Sequence, residues 1–369
     1  MIESNEFNKN KLGFGLMRLP RKGIGIDIEQ TSRMVDMFME AGLTYFDTAF
    51  VYPGSEAAAK KALVERYDRD RFTLATKVNA AFPGMSEKMI KSQFETSLAR
   101  TGAGYFDYYL LHTLKDNNVR RYDKYEMWDF VAEKKREGLV KNVGFSFHDG
   151  PKLLDELLTA HPEVDFVQLQ INYADWENDK IFSRRNYEVA RAHGKQIVVM
   201  EPVKGGKLAD PPAEVKKLMK AYAPEASYAS WAIRFVASLD GILSVLSGMS
   251  NVAQMKDNLS YMTDFKPLNA EEREIIRQAQ AIYKMSAAIP CTGCGYCREG
   301  CPKGIGIPDV LEALNLHLVS GQTAEGKAAY QALSGSPASA CIGCKKCENT
   351  CPQHIAITDA LKQAAELYE

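Results

Sequence analysis

"FTLATKVNAAFPGMSEKMIKSQFETSLARTGAGYFDYYLLH", residues 72–112, is the stretch on which the fold turns. A short run rich in β-formers, "FTLATKV" (72–78), gives way to an amphipathic, helix-like segment that Ser86 opens and Gly102 closes. A second β-rich run, "YFDYYLLH" (105–112), follows at once. The same unit recurs in both directions. Before it stand "LGFGLMRL" (12–19) and "TYFDTA" (44–49). After it come "KNVGFSF" (141–147), "FVQLQIN" (166–172), "QIVVMEP" (196–202), with a turn at Gly194 ahead of it, and "GILSVLSG" (241–248). Eight strand-then-helix units in about 250 residues predict an α/β protein with a (β/α)8 TIM barrel over residues 1–265. An open doubly wound sheet is the competing arrangement.

The chain's 369 residues are enough for about two domains. "DFKPLNAEEREIIRQAQAIYKMS" (264–286) reads as a turn and a connecting helix, 266–286, leaving 287–369 for a second domain. A formal net charge of −1 gives no electrostatic reason to expect nucleic acid or an anionic membrane as partner. The opening "MIESNEFNKN" has no apolar h-region, and no apolar run is long enough to span a bilayer. The expected location is the cytoplasm, where thiols stay reduced.

All eight cysteines fall in "CTGCGYCREGC" (291–301) and "CIGCKKCENTC" (341–351), each followed by proline, Pro302 and Pro352. Both runs read C-x2-C-x2-C-x3-C-P, an iron–sulfur ligand pattern in which the fourth cysteine serves the other cluster. Cys291, Cys294, Cys297 and Cys351 would hold one [4Fe-4S] cluster; Cys341, Cys344, Cys347 and Cys301 would hold the second. Gly293, Gly295 and Gly343 suit the tight loops between ligands. Zinc and disulfides are the weaker alternatives, because zinc sites lack the x3-C-P tail and disulfides conflict with the compartment. The helical stretches "GIPDVLEALNLHLVSG" and "AEGKAAYQAL" separate the motifs. The tail therefore resembles the ferredoxin-like, mainly α-helical two-cluster modules appended to larger redox enzymes.

Four side chains stand at or beside consecutive strand ends: Asp47, Lys77 and His112, with Tyr52 in the loop after Asp47. In a closed barrel those ends meet at one mouth, where this fold places its active sites. A phenol is a weak acid, with a pKa near ~10. An ammonium lowers that value, a carboxylate holds the ammonium, and an imidazole N–H orients a carbonyl oxygen. Given a hydride donor, such a group reduces C=O to CH–OH.

With "LGFGLMRLP", "FDTAFVYPGSE", "LATKV" and "YYLLH" in this order, the sequence resembles the aldo-keto reductase superfamily over about residues 10–262. The cysteine tail resembles its iron–sulfur branch. The resemblance implies an NAD(P)H-dependent oxidoreductase acting on a small-molecule carbonyl, with Tyr52 as general acid, Lys77 and Asp47 tuning it, and His112 positioning substrate. It also implies NADP or NAD along Gly15, Leu16, Met17, Asp47, Ser146 and Gln168. The nucleotide would continue over Met200, Glu201, Pro202, Val203 and Gly205, then Ser247, Gly248, Met249, Ser250, Gln254 and Asn258. Glu201 stands where the family stacks an aromatic ring on the nicotinamide, and Gly248 and Gln254 replace the basic residues of NADP-preferring members.

Backbone N–H groups of "GMSN" (248–251) and of the "KGGK" turn (204–207) predict anion sites. A phosphate site there would also take FMN, for which no fingerprint is visible. His148 and Trp176 are candidate pocket residues beside loop and packing roles. Lys345 and Lys346 are solvated, or form a docking face for an acidic redox partner protein. Hydride moves two electrons and clusters move one, so three readings stand. They are a carbonyl reductase with electron-transferring or structural clusters, a flavin-linked enzyme, and a nucleotide-sensing barrel on an electron carrier.

Overall fold

A computed structural model describes residues 11–81, 84–286 and 288–369; the polar opening "MIESNEFNKN" lies outside them. Eight parallel strands close into a barrel. They are β1 (Leu12–Gly15), β2 (Tyr45–Asp47), β3 (Thr73–Val78) and β4 (Phe106–Leu114), followed by β5 (Val140–Phe147), β6 (Phe166–Gln170), β7 (Gln196–Met200) and β8 (Ile242–Ser247). Each pairs with its sequence neighbours, and β1 closes the ring against β8, with Phe14 opposite Ser247. The doubly wound alternative is thereby excluded. The helix from Glu87 to Thr101 is capped by Ser86, whose side chain accepts the Met89 N–H, and ends at left-handed Gly102.

Five strands stop short of the sequence reading, two of them for evident local reasons. β1 ends at Gly15, and a 3-10 turn, Leu16–Arg18, carries the chain out of the ladder. The Leu16 carbonyl there accepts from the Ser55 hydroxyl at 3.0 Å. β7 ends at Met200 because Glu201 turns to a φ of 56°. A two-residue ribbon, Arg21–Lys22 with Gly25–Ile26, adds antiparallel pairing outside the barrel.

The barrel is filled by Tyr45, Ala75, Leu110, Phe166, Val198 and Leu246. Room for Phe166 depends on Gly144, where a β-carbon would lie 2.6 Å from that ring. A larger apolar layer lies between strands and helices, with Phe14, Phe38 and Phe46 packed ring on ring. The helix Ala270–Met285 also belongs to this shell: Ile275, Ile276 and Ala279 bury against Leu208, Met219 and Trp231. Beyond it, the helices Ile307–Ser320, Thr323–Gln331 and Ile357–Tyr368 form a separate apolar core around both cysteine runs. No helix among the described residues is long and apolar enough to cross a membrane.

The helical domain sits on the end of the barrel where the strands finish. The Arg18 guanidinium donates to the Thr292 carbonyl (2.9 Å), and the Lys115 ammonium donates to the Cys351 carbonyl (3.0 Å). Gln170 and Gln353 exchange hydrogen bonds at 3.2 and 3.1 Å, buried between the two units. Gly205, at φ 64°, touches the same loop: a β-carbon there would fall 2.3 Å from the Thr292 oxygen. The cysteine loops thus close over the barrel mouth.

Candidate active site

The register sets Asp47 and Lys77 on neighbouring strands at the rim, with His112 on the next. The Lys77 ammonium donates to Asp47 Oδ1 at 2.5 Å and to the Thr48 carbonyl at 2.7 Å, with both side chains almost fully buried. It also lies 5.1 Å from the centroid of the Tyr52 ring. That ring meets the His112 imidazole edge to face, centroids 5.8 Å apart. Asp47, Tyr52, Lys77 and His112 therefore converge on one cavity of about 550 Å³.

The electrostatics differ from the sequence expectation. Tyr52 is not made more acidic: burial pushes its hydroxyl well above the ordinary phenol range, and Tyr296 and Asp47 add to the rise. The leading reason is that the buried phenolate would lose its hydration. Burial also raises the Asp47 carboxyl and lowers the Lys77 ammonium, each moved toward its neutral form. His112 is held well below its usual value by burial and then by Lys77, so the imidazole is neutral.

Every nucleotide-contact residue expected from the sequence lines this cavity except Leu16. Leu16 is a correction: it is buried in the apolar layer outside the strands. The KGGK turn is another. Lys204 is spent on Asp175, at 2.5 and 2.6 Å. The N–H groups of Lys204, Gly206 and Lys207 bond the carbonyls of Glu201, Val203 and Lys204. Such a turn has little left to offer a phosphate, although Gly205 and Val203 remain on the cavity wall. In "GMSN" the Ser250 N–H is taken by the Gln254 side chain at 2.7 Å, and Asn258 pairs with the Ser247 hydroxyl at 2.7 Å. Trp176 packs on Tyr187 and Phe235, away from the cavity, whereas His148 lines it.

The polar atoms at the mouth suit a bound polar ring. Gln168 Oε1, His112 Nδ1 and Glu201 Oε2 are buried without a hydrogen-bond partner among the described residues. The Ser146 hydroxyl accepts the Thr113 N–H at 2.7 Å. Thr113, Glu201 and Lys204 all have positive φ, 61°, 56° and 49°. For side-chain-bearing residues such backbone costs energy, and it clusters where function demands a fixed geometry. Glu201, raised by burial, faces Arg18 at 3.8 Å.

The cysteines gather as the spacing rule requires. One small cavity is lined by Cys291, Cys294, Cys297 and Cys351, and another by Cys301, Cys341, Cys344 and Cys347. All eight are free, so the disulfide alternative fails. No three metal-binding side chains among the described residues close on a single ion. Thiolates that each bind a different iron of a cubane need not converge on one point. Burial pushes Cys294 up to about 11 and Cys297 to about 12. Such thiols ionise only against strong positive charge, which iron supplies.

Four residues of the site were not read from the sequence as cavity residues. Arg18 enters it from the 3-10 turn, and Cys294 with Tyr296 and Pro352 forms the wall contributed by the cysteine domain. No local pattern signals the last three, because they reach the cavity only through docking of the two units.

Comparison with known proteins agrees with this architecture. The Aldo/keto reductase family model matches residues 11–281, and the 4Fe-4S dicluster domain model matches residues 290–357. The uncharacterized oxidoreductase YqkF of Bacillus subtilis is 24% identical over 321 residues, spanning 77% of this chain and 97% of that protein. The holo form of the aldo-keto reductase AKR11C1 from Bacillus halodurans has a TM-score of 0.58 at 26% identity, covering 73% of this chain and 91% of its own. An aldo/keto reductase from Klebsiella pneumoniae, solved with NADP and acetate, shares the fold at 20% identity and a TM-score of 0.59, with 73% and 91% covered.

Proposed function

The chain belongs to the aldo/keto reductase family, and from that premise we propose that it reduces an aldehyde or ketone with a nicotinamide dinucleotide. The observation that carries this reading is the buried Asp47–Lys77 pair beside Tyr52 and His112 at the cavity mouth. Gln168 and Ser146 would hold the carboxamide, and the loop from Ser247 to Ser250, with Gln254 and Asn258, would hold the phosphates and adenosine. The nucleotide, when bound, supplies hydride. The chain's own residues do the rest. Neutral His112 fixes the carbonyl oxygen through a hydrogen bond. Tyr52, kept protonated by burial, gives its proton to that oxygen as negative charge builds there. An alkoxide is a far stronger base than a phenolate, so a phenol of raised pKa remains an adequate acid. The Lys77–Asp47 pair fixes the face on which the Tyr52 ring rests.

Two [4Fe-4S] clusters would be held by Cys291, Cys294, Cys297 and Cys351, and by Cys341, Cys344, Cys347 and Cys301. They supply one-electron chemistry. Ile342, 61% exposed, and the exposed Cys344, Lys345 and Lys346 ring the outer site and support docking of an acidic one-electron carrier protein. A flavin-linked reading is favoured only by Cys294 on the cavity wall, since flavin converts between one and two electrons.

Anaerobic preparations with iron, sulfide and flavin quantified, assayed with NADH and NADPH on an aldehyde panel, test both readings. Tyr52→Phe is expected to abolish reduction while nucleotide binding persists. A wild type inactive with every carbonyl and both nucleotides would overturn the reductase reading; bound flavin would favour the second.

A further inference from the structure

His148 stands one residue past β5 and lines the cavity that holds Asp47, Tyr52, Lys77 and His112. Its Nδ1 is buried with no hydrogen-bond partner among the described residues. We propose that His148 is a substrate-contacting residue that binds a hydroxyl group on the carbon next to the reacting carbonyl. The enzyme would then select 2-hydroxyaldehydes and hydroxyketones over plain alkyl carbonyls, an assignment that rests on the carbonyl-reductase reading above and adds a substrate class to it.

Strand alternation and register set the height of this ring. Along β5, Phe145 and Phe147 pack outward in the apolar layer, whereas Ser146 and His148 border the cavity. Ser146 is level with Gln168 on β6 and Phe147 with Leu169, so His148 falls one layer nearer the opening, beside Gln170. Two residues of strand advance by about 6.8 Å. His112 belongs to the lower layer: Leu111 pairs with Phe145, and a bulge at Thr113, φ 61°, brings Leu114 opposite Phe147. Deeper still, Leu110, Phe166 and Val198 fill the barrel. A carbonyl held by Tyr52 and His112 can therefore extend its substituents only outward, toward the level of His148.

Gln170, the neighbour in that outer layer, is committed: it exchanges hydrogen bonds with Gln353 at 3.2 and 3.1 Å and reaches Asp175 at 3.4 Å. His148 Nδ1 has no such engagement, and a buried polar atom left unpaired is costly. The backbone that carries the ring is held on both sides. The His148 N–H donates to the Leu114 carbonyl at 3.0 Å. The next residue, Asp149, accepts the Asp116 N–H on its carboxylate and the Asn186 amide on its carbonyl, each at 2.9 Å. Burial keeps the imidazole neutral. A neutral imidazole has one donor and one acceptor nitrogen, and a hydroxyl can partner either one, whichever tautomer is present. An alkyl group in its place would displace water from the ring and return no hydrogen bond, which disfavours the plain carbonyl.

The test measures kcat/KM for 2-hydroxypropanal and for propanal in wild type, His148→Phe and His148→Gln, as full-length, cluster-loaded proteins under anaerobic conditions. Comparing the ratio of the two values between proteins cancels the intrinsic reactivity of each aldehyde. His148→Phe should lower that ratio about tenfold, the equivalent of one hydrogen bond, chiefly through KM for the hydroxyaldehyde. His148→Gln keeps a donor and an acceptor and should hold the ratio within a few-fold of wild type. Nucleotide dissociation constants from fluorescence titration should agree among the three. A ratio unchanged in His148→Phe, including an equal loss on both aldehydes, overturns this proposal alone; a wild type inactive on every carbonyl overturns the reading beneath it. A lower ratio accompanied by weaker nucleotide binding assigns His148 a structural role and also overturns the proposal, as does a Gln variant that loses as much selectivity as the Phe variant. If His148→Phe fails to fold, His148→Leu takes its place under the same criteria.

Discussion

Replacing Lys77 by methionine separates what the buried ion pair does for folding from what it does for chemistry. Its side chain is 1% exposed and Asp47's is 4% exposed, with 2.5 Å between the charged atoms. The other Asp47 oxygen, Oδ2, already lacks a hydrogen-bond partner among the described residues. Removing the ammonium strands a carboxylate in the core, which costs about 3–5 kcal/mol. Replacing both residues, as Lys77→Met with Asp47→Leu, removes the stranded charge and should recover most of that loss, since apolar pairs often match buried ion pairs in stability. The carboxyl is already raised by burial and rises further without Lys77. A carboxyl raised in the folded state favours folding at low pH and loses that contribution as pH climbs through its folded pKa. The single variant should therefore be closer to wild type at pH 5 than at pH 8. Urea unfolding followed by tryptophan fluorescence measures all three proteins at both pH values. Equal midpoints for wild type and Lys77→Met, or a double variant weaker than the single, would refute the reasoning. Both variants should lack reductase activity regardless of stability.

Two further outcomes follow from particular contacts. Gly205→Ala adds a β-carbon 2.3 Å from the Thr292 oxygen at a backbone angle of 64°, so the cysteine loop must shift. Circular dichroism should stay native while iron content falls and trypsin cleaves the segment after Met285 sooner; unchanged proteolysis would show the loop is not seated there. His112 is neutral well below pH 6.5, so kcat/KM should show no acidic limb from it between pH 6 and 8. His148 is pushed down to about 3 by burial. The unfolded state then binds the extra proton, and stability should fall as pH drops from about 6.5 toward 3 and stay flat above. His148→Gln should flatten that fall in urea midpoints, and an unaltered slope would exclude His148 as its source.

The barrel was legible because each strand carries its own signal: "FTLATKV" is β-forming wherever it lies, and strands in series close only in a few ways. The Asp47, Tyr52, Lys77 and His112 cluster was legible for the same reason, since position along a strand fixes height in the barrel. Tyr296, Arg18 and Gln353 gave no such signal. Their roles depend on how two units dock, with contacts joining residues more than 180 positions apart, such as Gln170 with Gln353. The "KGGK" turn misled because glycine and lysine suggest phosphate, whereas the buried Asp175 claims Lys204. Tyr52 acidity was misjudged because burial, which a sequence does not display, outweighs the neighbouring charge.

The cysteine tail is joined to the barrel through its own backbone. Arg18, Lys115 and Asn117 reach up to the carbonyls of Thr292, Cys351 and Asn349, all within or bordering the two ligand runs. Carbonyls can accept these donors only while the loops hold the course that shared cysteine ligands impose. Lys115 makes the dependence acute: it is 4% exposed, and a buried ammonium without its acceptors would be costly. Metal binding that orders such loops is part of the folding free energy. The same order places Tyr296 and Cys294 on the cavity wall. The ligand runs are therefore not an accessory hung beside a complete barrel; they form one side of the cavity that holds Asp47, Tyr52, Lys77 and His112.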